Sequence, residues 1–471
     1  MRCPKKTHIC RLKNASACLC CFLSLFCWIP VAEAGSPVAA LKMLSLRQSL
    51  VISLSKEYSI TEARAAVLQS RSERLSASSG FLPELSVDDQ PQLYRPIGKS
   101  GNTFIAGTLV PANQGFFYNS ISASFKWNVF SGGKDLAELH AAEDAVASAD
   151  QKKIAAISST FARILQAYIS LAQTQLKIDD EKKTIEETQR IAHLTKMRYQ
   201  HGMDSRLKWL ESEQKLLMTQ NKLQQNFEKF ASEQRDLLEA MGFDRVIGTG
   251  FTVDTRLPSP HFTLNKASDA PLLGAPSVKA ALADIHAAQE QVHVATAGFW
   301  PSLSVVSQYN WLGLNANRPG AAMLNTMGSN YTVGLSVNIP LLPALNVVAA
   351  VQSAQAGVVN AIGGYDRAVA VVMGRRIQAL QGRRYSEESL TIAARAVALA
   401  QESLRLTKAK FEKGQSNAIS VFQAQVTMLQ AVAALRRADL KARLAEWMAL
   451  RAYDPARFSS QLLVSAADFE G

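Results

Sequence analysis

Several short groups of residues in this chain have side chains that could do chemistry. Ser131-Gly132-Gly133-Lys134 resembles the end of a phosphate-binding loop, in which backbone N–H groups and a lysine hold phosphate oxygens. The full motif is missing, because Asn128 stands where its first glycine is required and Asp135 follows the lysine. We therefore interpret this group as a turn between a strand and a helix.

His286 and His293 lie seven residues apart and could share one helical face. No nearby acidic or cysteine residue completes a set of metal ligands, so a solvated helix surface is the preferred interpretation. The acid pairs at 88–89 and 179–180 are typical of loop or helix surfaces, and no nucleophile motif is recognisable. The sequence predicts no catalytic, cofactor or metal site, and hence no enzyme.

The first 34 residues have the pattern of a secretory signal peptide. A basic segment precedes an apolar stretch from Ala15 to Ala32, and Ala32-Glu33-Ala34 provides a small-x-small cleavage pattern before Gly35. A retained signal anchor is the alternative, and lipidation at Cys18 is a weaker one because no apolar run precedes it. All six cysteines lie in this segment, so the mature chain is predicted to contain no disulfide and no thiolate site.

Residues 35–471 carry a modest positive charge that is spread along the chain. Of 51 basic and 39 acidic residues, five and one belong to the first 34, which leaves 46 against 38, or +8. Without a basic block, we favour general surface charge over nucleic-acid binding and predict no nucleic-acid partner. No uninterrupted apolar run of spanning length follows the signal, so no transmembrane helix is predicted there.

Two parts of the mature chain share the same landmarks in the same order. GFLPELSV at 80–87 corresponds to GFWPSLSV at 298–305, and RYQHG at 198–202 corresponds to KFEKG at 410–414. Nearly constant spacing between the landmarks predicts an internal duplication. The predicted organisation is a signal peptide at 1–34, a first repeat at 35–241, a connector at 242–275, a second repeat at 276–453 and a C-terminal tail at 454–471.

Alternating apolar and polar residues predict a pair of short strands in each repeat. The alternation is clearest at 117–129 and 331–339, less regular at 303–311, and weakest after Pro83. A period of two indicates a strand with one apolar and one polar face. The strand pairs are predicted within about 82–130 and 301–340, with loops at 95–115 and 313–329.

A long proline-free segment follows each strand pair and is rich in good helix formers. Residues 134–198 could form one helix of roughly 100 Å at ~1.5 Å per residue, and 346–413 is of similar length. These helices end near Gly202 and Gly414, which suit a turn. Second helices are predicted at about 205–241 and 417–453, with apolar spacings of three and four that favour antiparallel coiled-coil hairpins.

The predicted strands are too few to form a closed structure in one copy of the chain. In lipid, an open sheet edge leaves backbone groups unsatisfied, and small closed barrels need about eight strands or more. Three protomers with four strands each would close a twelve-stranded barrel, with apolar faces toward lipid and Ser, Asn and Thr toward a wet lumen. Aromatic residues near the strand ends favour this interpretation. A soluble sheet that buries the same face is the alternative.

Taken together, these landmarks resemble the TolC-like outer-membrane factors over nearly all of the mature sequence. The most specific are the two-fold repeat, WNVFSGGK at 127–134, VNIPL at 337–341 and the aromatic-x-x-Gly hairpin tips. The resemblance implies an α+β membrane protein, with a trimeric twelve-stranded β-barrel continued by a long α-helical coiled-coil barrel in the periplasm. It also implies a passive outer-membrane duct for efflux or type I secretion, with a periplasmic adaptor and an inner-membrane transporter as partners.

The resemblance gives the hairpin tips a role in closing the duct and contacting the adaptor. The implied adaptor-contact residues are Gly202, Met203, Asp204, Gly414, Gln415 and Ser416. The implied aperture residues, six and nine positions after the glycines, are Lys208, Glu211, Ser420 and Gln423. Many relatives have carboxylates just beyond these glycines. A ring of Lys208 would instead raise the positive potential, so we expect weaker cation selectivity.

A periplasmic coiled-coil adaptor or scaffold is the competing class of function. It shares export and long helical hairpins, but it is expected to have one hairpin between compact β domains. It is not expected to have two strand pairs with lipid-like faces. A soluble helical periplasmic enzyme is a third class that no predicted site supports. The cargo is not predicted, because drugs, metal ions and exported proteins use similar ducts.

Overall fold

The computed structural model describes residues 43–94, 103–105, 108–110, 116–243, 250–258, 260, 271–315, 326–341 and 345–468. All of these residues belong to one unit, Met43–Gly471. The predicted signal peptide at 1–34 lies outside the described residues.

Strands and helices alternate in groups along the described chain. The strands are β1 (Met43–Leu44), β2 (Glu84–Tyr94), β3 (Thr103–Ile105), β4 (Thr108–Val110), β5 (Phe116–Phe130), β6 (Thr252–Val253), β7 (Ser302–Asn315) and β8 (Thr326–Asn338). The helices are α1 (Leu46–Lys56), α2 (Tyr58–Ser79), α3 (Lys134–Gln200), α4 (Arg206–Ala240), α5 (Pro271–Gly274), α6 (Pro276–Thr296), α7 (Leu345–Glu412), α8 (Ala418–Tyr453) and α9 (Pro455–Asp468).

Four long strands form one antiparallel sheet in the order β2-β5-β7-β8. Within the described residues, the outer strands β2 and β8 each pair on one side only. The strands also reach into the segments predicted as loops: β7 continues to Asn315, β8 begins at Thr326, and β3 pairs with β4. The loop predictions at 95–115 and 313–329 were therefore wrong for these residues. β3 and β4 consist of good strand formers, and at the polar ends of β7 and β8 the backbone groups pair whatever the side chains are.

The strand register separates apolar from polar side chains across the sheet. One row on one face consists of Val87, Ala123, Tyr309 and Tyr331. The adjacent row on the opposite face consists of Ser86, Ser124, Gln308 and Thr332. The hydroxyls of Ser86 and Ser124 lie 2.7 Å apart, and the Asn310 side chain donates to Asn330 at 3.1 Å. The apolar face is open in the protomer, with Leu335 71 % exposed.

The turn from β5 into α3 is the strand-to-helix turn predicted from Ser131-Gly132-Gly133-Lys134. Gly132 has φ +68°, and a Cβ there would lie 2.8 Å from the Ala297 carbonyl oxygen and 2.9 Å from Trp300 Cβ. Only glycine fits, because a side chain would collide with the segment that leads into β7. This turn therefore packs the junction between β5 and α3 closely against the segment between α6 and β7.

Two antiparallel helical hairpins, α3–α4 and α7–α8, make up most of the fold. At 67 and 68 residues, α3 and α7 each extend roughly 100 Å at about 1.5 Å per residue. The predicted helices at 134–198 and 346–413 thus lie within two residues of the observed bounds. Helix α3 packs against α2, α6 and α8, and its Leu165, Tyr168 and Leu171 are buried.

The segments at 242–275 and 454–471 contain more structure than a connector and a tail. Strand β6 pairs in parallel with β1, and the Gln234 side chain donates to the Phe251 carbonyl at 2.6 Å. Helix α9 buries Phe458 and Leu462, which lie four residues apart, and Phe458 meets the Trp447 ring edge-on at 6.1 Å. Both segments therefore extend the core at the base of the hairpins.

Three helices of the described chain, α3, α7 and α8, contain a stretch long and apolar enough to cross a membrane by length and composition. The prediction that no transmembrane helix follows the signal was based on the lack of an uninterrupted apolar run. In these helices alanine, valine, leucine and isoleucine are interrupted by single polar residues and still keep the mean hydropathy high. In α7 the stretch is open: no residue from Leu345 to Val371 is buried in the protomer. Such a surface needs a partner surface to cover it.

Candidate functional site at the hairpin tips

Both hairpin tips use the same backbone turn. In the first tip, Gly202 N–H donates to the Tyr199 carbonyl at 3.0 Å and Met203 N–H to the Arg198 carbonyl at 2.9 Å. Gly202 has φ +69°, the left-handed conformation that glycine adopts without strain. The turn therefore satisfies the last carbonyls of α3 without help from side chains.

The second tip repeats this arrangement residue by residue. Gly414 N–H donates to the Phe411 carbonyl at 2.9 Å and Gln415 N–H to the Lys410 carbonyl at 2.8 Å. Gly414 has φ +72°. Two glycines with the same φ and the same pair of hydrogen bonds give α3 and α7 equivalent ends.

The first tip is closed by ion pairs that centre on Asp204. Its carboxylate accepts from Arg198 Nε at 2.6 Å and from Lys208 Nζ at 3.3 Å. The Asp204 side chain is only 7 % exposed, whereas Lys208 is 63 % exposed. The hydrogen bond from Arg198, together with that from Lys208, lowers the pKa of Asp204 below its ordinary value of 3.8. Asp204 thus joins the end of α3 to the start of α4 as a carboxylate.

An aromatic contact reinforces the first tip. The rings of Tyr199 and Trp209 stack at 5.5 Å between centroids, and the Lys196 ammonium lies 6.0 Å from the Trp209 ring. Ser205 caps α4, its hydroxyl accepting from Lys208 N–H at 3.4 Å. These contacts hold the last two turns of α3 against the first turn of α4.

The second tip is closed by neutral groups. Asn417 caps α8, its side-chain oxygen accepting from both the N–H and the hydroxyl of Ser420 at 2.9 Å. Phe411, at the position of Tyr199, is 45 % exposed. No salt bridge joins the described residues from Lys408 to Gln423. The same backbone turn is therefore held by different side-chain chemistry.

The structure brings only some of the predicted site residues together. Asp204 and Lys208 form an ion pair, and Ser420 bonds to Asn417. The side chains of Glu211 and Gln423 are exposed and make no hydrogen bond to another described residue. The other predicted residues lie at the turns, where Gly202, Met203, Gly414 and Gln415 are exposed and Ser416 is partly buried.

Three residues that stabilise the tips were not among the predicted site residues: Arg198, Trp209 and Asn417. The signal for Asn417 was present, because asparagine just before a helix start is a preferred N-cap. Arg198 and Asp204 are six residues apart, a spacing at which helical neighbours do not meet, and only the turn brings them together.

Further from the tips, polar contacts join the two hairpins to each other. Gln425 donates to Glu187 at 3.1 Å, and Arg436 lies 3.7 Å from Asp180. Both carboxylates belong to α3 and both partners to α8. Within the described residues, no group of three His, Cys, Asp or Glu side chains could hold a metal ion.

A four-stranded sheet that continues into two long helical hairpins with glycine-turned tips defines the fold of a TolC-like outer-membrane channel. The chain belongs to the family of outer membrane efflux proteins. The sequence model of this family matches residues 50–243 and 268–454. The members of this family are channel proteins rather than enzymes.

Solved channels share this fold at low sequence identity. The outer membrane protein VceC of Vibrio cholerae is 18 % identical, with a TM-score of 0.68 over 87 % of this chain and 95 % of that one. The CmeC outer membrane channel of Campylobacter jejuni is 14 % identical, with a TM-score of 0.71 over 87 % of this chain and 86 % of that one.

A curated relative provides a similarity in sequence as well. The fusaric acid resistance protein FusA of Burkholderia cepacia is 24 % identical over 338 residues, which are 70 % of this chain. The match spans 58 % of the length of FusA.

Proposed function

We propose that three copies of this chain form a passive exit duct in the bacterial outer membrane. The observation that carries this proposal is the sheet: its register places apolar side chains on one face and polar ones on the other, and its edges β2 and β8 are open. In lipid, such edges must be paired, and joining β8 of one copy to β2 of the next closes a twelve-stranded barrel.

The helices support the same assembly. The uncovered apolar stretch of α7 and the length of both hairpins fit a helical barrel in the periplasm, in which neighbouring copies cover each other. At roughly 100 Å, the hairpins are far longer than a bilayer of about 30 Å requires. We therefore place the helices in the periplasm and the sheet in the outer membrane.

A passive duct needs partners that supply energy and cargo. We assign these roles to an inner-membrane transporter and a periplasmic adaptor, with the adaptor contacting the hairpin tips at Gly202–Asp204 and Gly414–Ser416. The exposed Met203 and Phe411 give the tips apolar contact points for an adaptor. Small organic molecules are the cargo we favour over exported proteins, because the relative FusA is named for resistance to one.

Planar-bilayer conductance of the purified mature protein, combined with its oligomer mass in detergent, tests this function. We expect a trimer that gives small, discrete pores. A monomer without conductance would refute the duct and favour a periplasmic adaptor or scaffold, whose strands would form a soluble sheet.

The aperture residues set the expected ion preference of this duct. Three copies of Lys208 near the tips would raise the positive potential, although each lysine lies beside Asp204, which offsets part of its charge. We therefore propose an aperture that is less cation-selective than a carboxylate-lined one, with Lys208, Glu211, Ser420 and Gln423 as its lining.

A further inference from the structure

A cavity of about 390 Å³ lies well away from the tips, where α3, α6, α7 and α8 meet beside the start of α9. Its walls are of two kinds. Val372, Leu444 and Met448 form an apolar part, and serine, glutamine, arginine and lysine side chains form a polar part. Cavities of about 300–1,000 Å³ with apolar walls and a few polar groups are typical of small-ligand sites.

The charged residues that line this cavity are all cations: Arg375, Lys441 and Arg451. None of the lining residues is an aspartate or a glutamate. None of the three cations forms a salt bridge with a described residue, whereas the adjacent Arg376 donates to the Ala452 carbonyl at 3.2 Å. Arg376 therefore serves the fold, and the three cations remain available to a ligand.

A buried hydroxyl in the same cavity also lacks a partner. Ser158 is 3 % exposed, and its Oγ makes no hydrogen bond with a described residue. Its neighbour Ser159 shows the usual alternative, since its hydroxyl donates to the Ala156 carbonyl at 2.9 Å. Buried polar groups in folded proteins are nearly always paired, so this hydroxyl leaves unused hydrogen-bonding capacity behind the cavity wall.

Two of the cations that line the cavity, Arg375 and Arg451, repel each other. Burial lowers the pKa of Arg451, and the nearby positive charge of Arg375 lowers it further. Two guanidinium groups that repel each other at the edge of an apolar cavity are both stabilised by an anion between them. Guanidinium groups also match the geometry of a carboxylate, to which they can donate two parallel hydrogen bonds.

We propose that this cavity binds an organic carboxylate with an apolar body. The carboxylate accepts from Arg375 and Arg451, and Lys441 adds positive charge at the opening. The body packs against Val372, Leu444 and Met448. The site is on a single copy of the chain and is distinct from the hairpin tips, so it does not depend on the proposed duct.

Isothermal titration of the detergent-solubilised mature chain with 2-naphthoate tests the site, with 2-naphthamide as the uncharged probe of the same shape. A titration into detergent alone removes the contribution of micelles. We expect the amide to bind at least about tenfold more weakly than the acid, because it lacks the charge-assisted hydrogen bonds. Equal binding of acid and amide, or no binding of the acid up to about 1 mM, would overturn the proposal.

A matched pair of variants on α7 locates the site. Both Arg375 and Arg395 are exposed, but only Arg375 lines the cavity, so Arg375→Gln removes a cation from it and Arg395→Gln does not. We expect naphthoate affinity to fall at least about tenfold in the first variant and to stay unchanged in the second. If Arg375→Gln does not fold, Lys441→Gln replaces it in the comparison with Arg395→Gln. We expect a smaller loss of naphthoate affinity in Lys441→Gln.

Native mass measurement of the same variants separates a ligand from a neighbouring copy of the chain. We expect the oligomer mass of Arg375→Gln to equal that of the unmodified protein. Loss of the oligomer in Arg375→Gln, together with no naphthoate binding by the unmodified protein, would assign the cations to a carboxylate of the neighbouring copy and overturn the proposal.

Discussion

The two hairpin tips have the same backbone and different side-chain chemistry. Gly202 and Gly414 make the same turn with the same two hydrogen bonds. Around the first turn, Asp204 binds two cations and two aromatic rings stack. Around the second, an asparagine and a serine provide the closing contacts. The backbone turn is thus the same at both tips, and the side-chain interactions that stabilise it differ.

Because of this difference, we expect the two tips to respond to different conditions. Charge-assisted bonds weaken with salt and with protonation, whereas a neutral N-cap depends on neither over the ordinary range. We therefore expect the first tip to be sensitive to salt and acid and the second to be indifferent to both.

Valine in place of either glycine should have the largest effect, and it should be equal at both tips. A β-branched residue at positive φ costs roughly 1–3 kcal/mol, so amide exchange at the altered tip should rise about tenfold or more. Hydrogen-exchange mass spectrometry of Gly202→Val and Gly414→Val measures this. A response at one tip only would contradict the claim that the two turns are equivalent.

Removing the charge of Asp204 should loosen the first tip to a smaller extent. In Asp204→Asn we expect exchange at residues 198–208 to rise about threefold at low salt, since both cationic partners of Asp204 reach solvent and ion pairs at a protein surface contribute modestly. The effect should shrink at high salt, where the unmodified protein has already lost part of this attraction.

Asn417→Ala is the matched change at the second tip. It removes an N-cap and should raise exchange at residues 411–420 by a similar factor, but equally at low and high salt. If the effects of both variants depend on salt in the same way, the chemical distinction between the tips is wrong.

Reversing the charge at Lys208 should produce a modest change in ion preference. Lys208→Asp places three carboxylates where we propose three lysines, so single-channel reversal potentials should shift toward cations. Ser420→Asp is the control at the corresponding position of the other hairpin and should shift the preference in the same direction but less, because it replaces a neutral group. No change with Lys208→Asp would refute its position at the aperture.

Acid should have the smallest effect. The folded protein lowers the pKa of Asp204 below 3.8, so its carboxylate stabilises the tip above that pH, and this contribution is lost as the pH falls through the lower, folded value. We expect protection of the first tip, corrected for intrinsic exchange, to drop below pH 3.8 and the second tip to be unaffected. Equal losses at both tips would indicate general acid unfolding.

The helices and most strands could be predicted from local pattern. The absence of proline and the dominance of helix formers placed α3 and α7 to within two residues, and a period of two located β5 and β8. These signals succeed because each belongs to a single element. The strand register and the sheet order depend on contacts between elements, and the sequence does not specify those directly.

The contents of the candidate site were only partly predictable. The glycines at the tips were visible, because only glycine adopts this turn without strain. The Arg198–Asp204 pair arises from the path of the turn, and helix α9 arises because Phe458 and Leu462 pack against a core that includes Trp447. In both cases the partner becomes apparent only after the chain has folded.

The open edges of the sheet also constrain how the protein is made. In the described part of a single copy, the backbone groups at the outer edges of β2 and β8 are unpaired and the apolar face between them is exposed. Such edges template aggregation with any other exposed strand. The proposed assembly therefore requires these edges to be paired or shielded until neighbouring copies arrive, so the rate of assembly matters as well as the stability of the proposed duct.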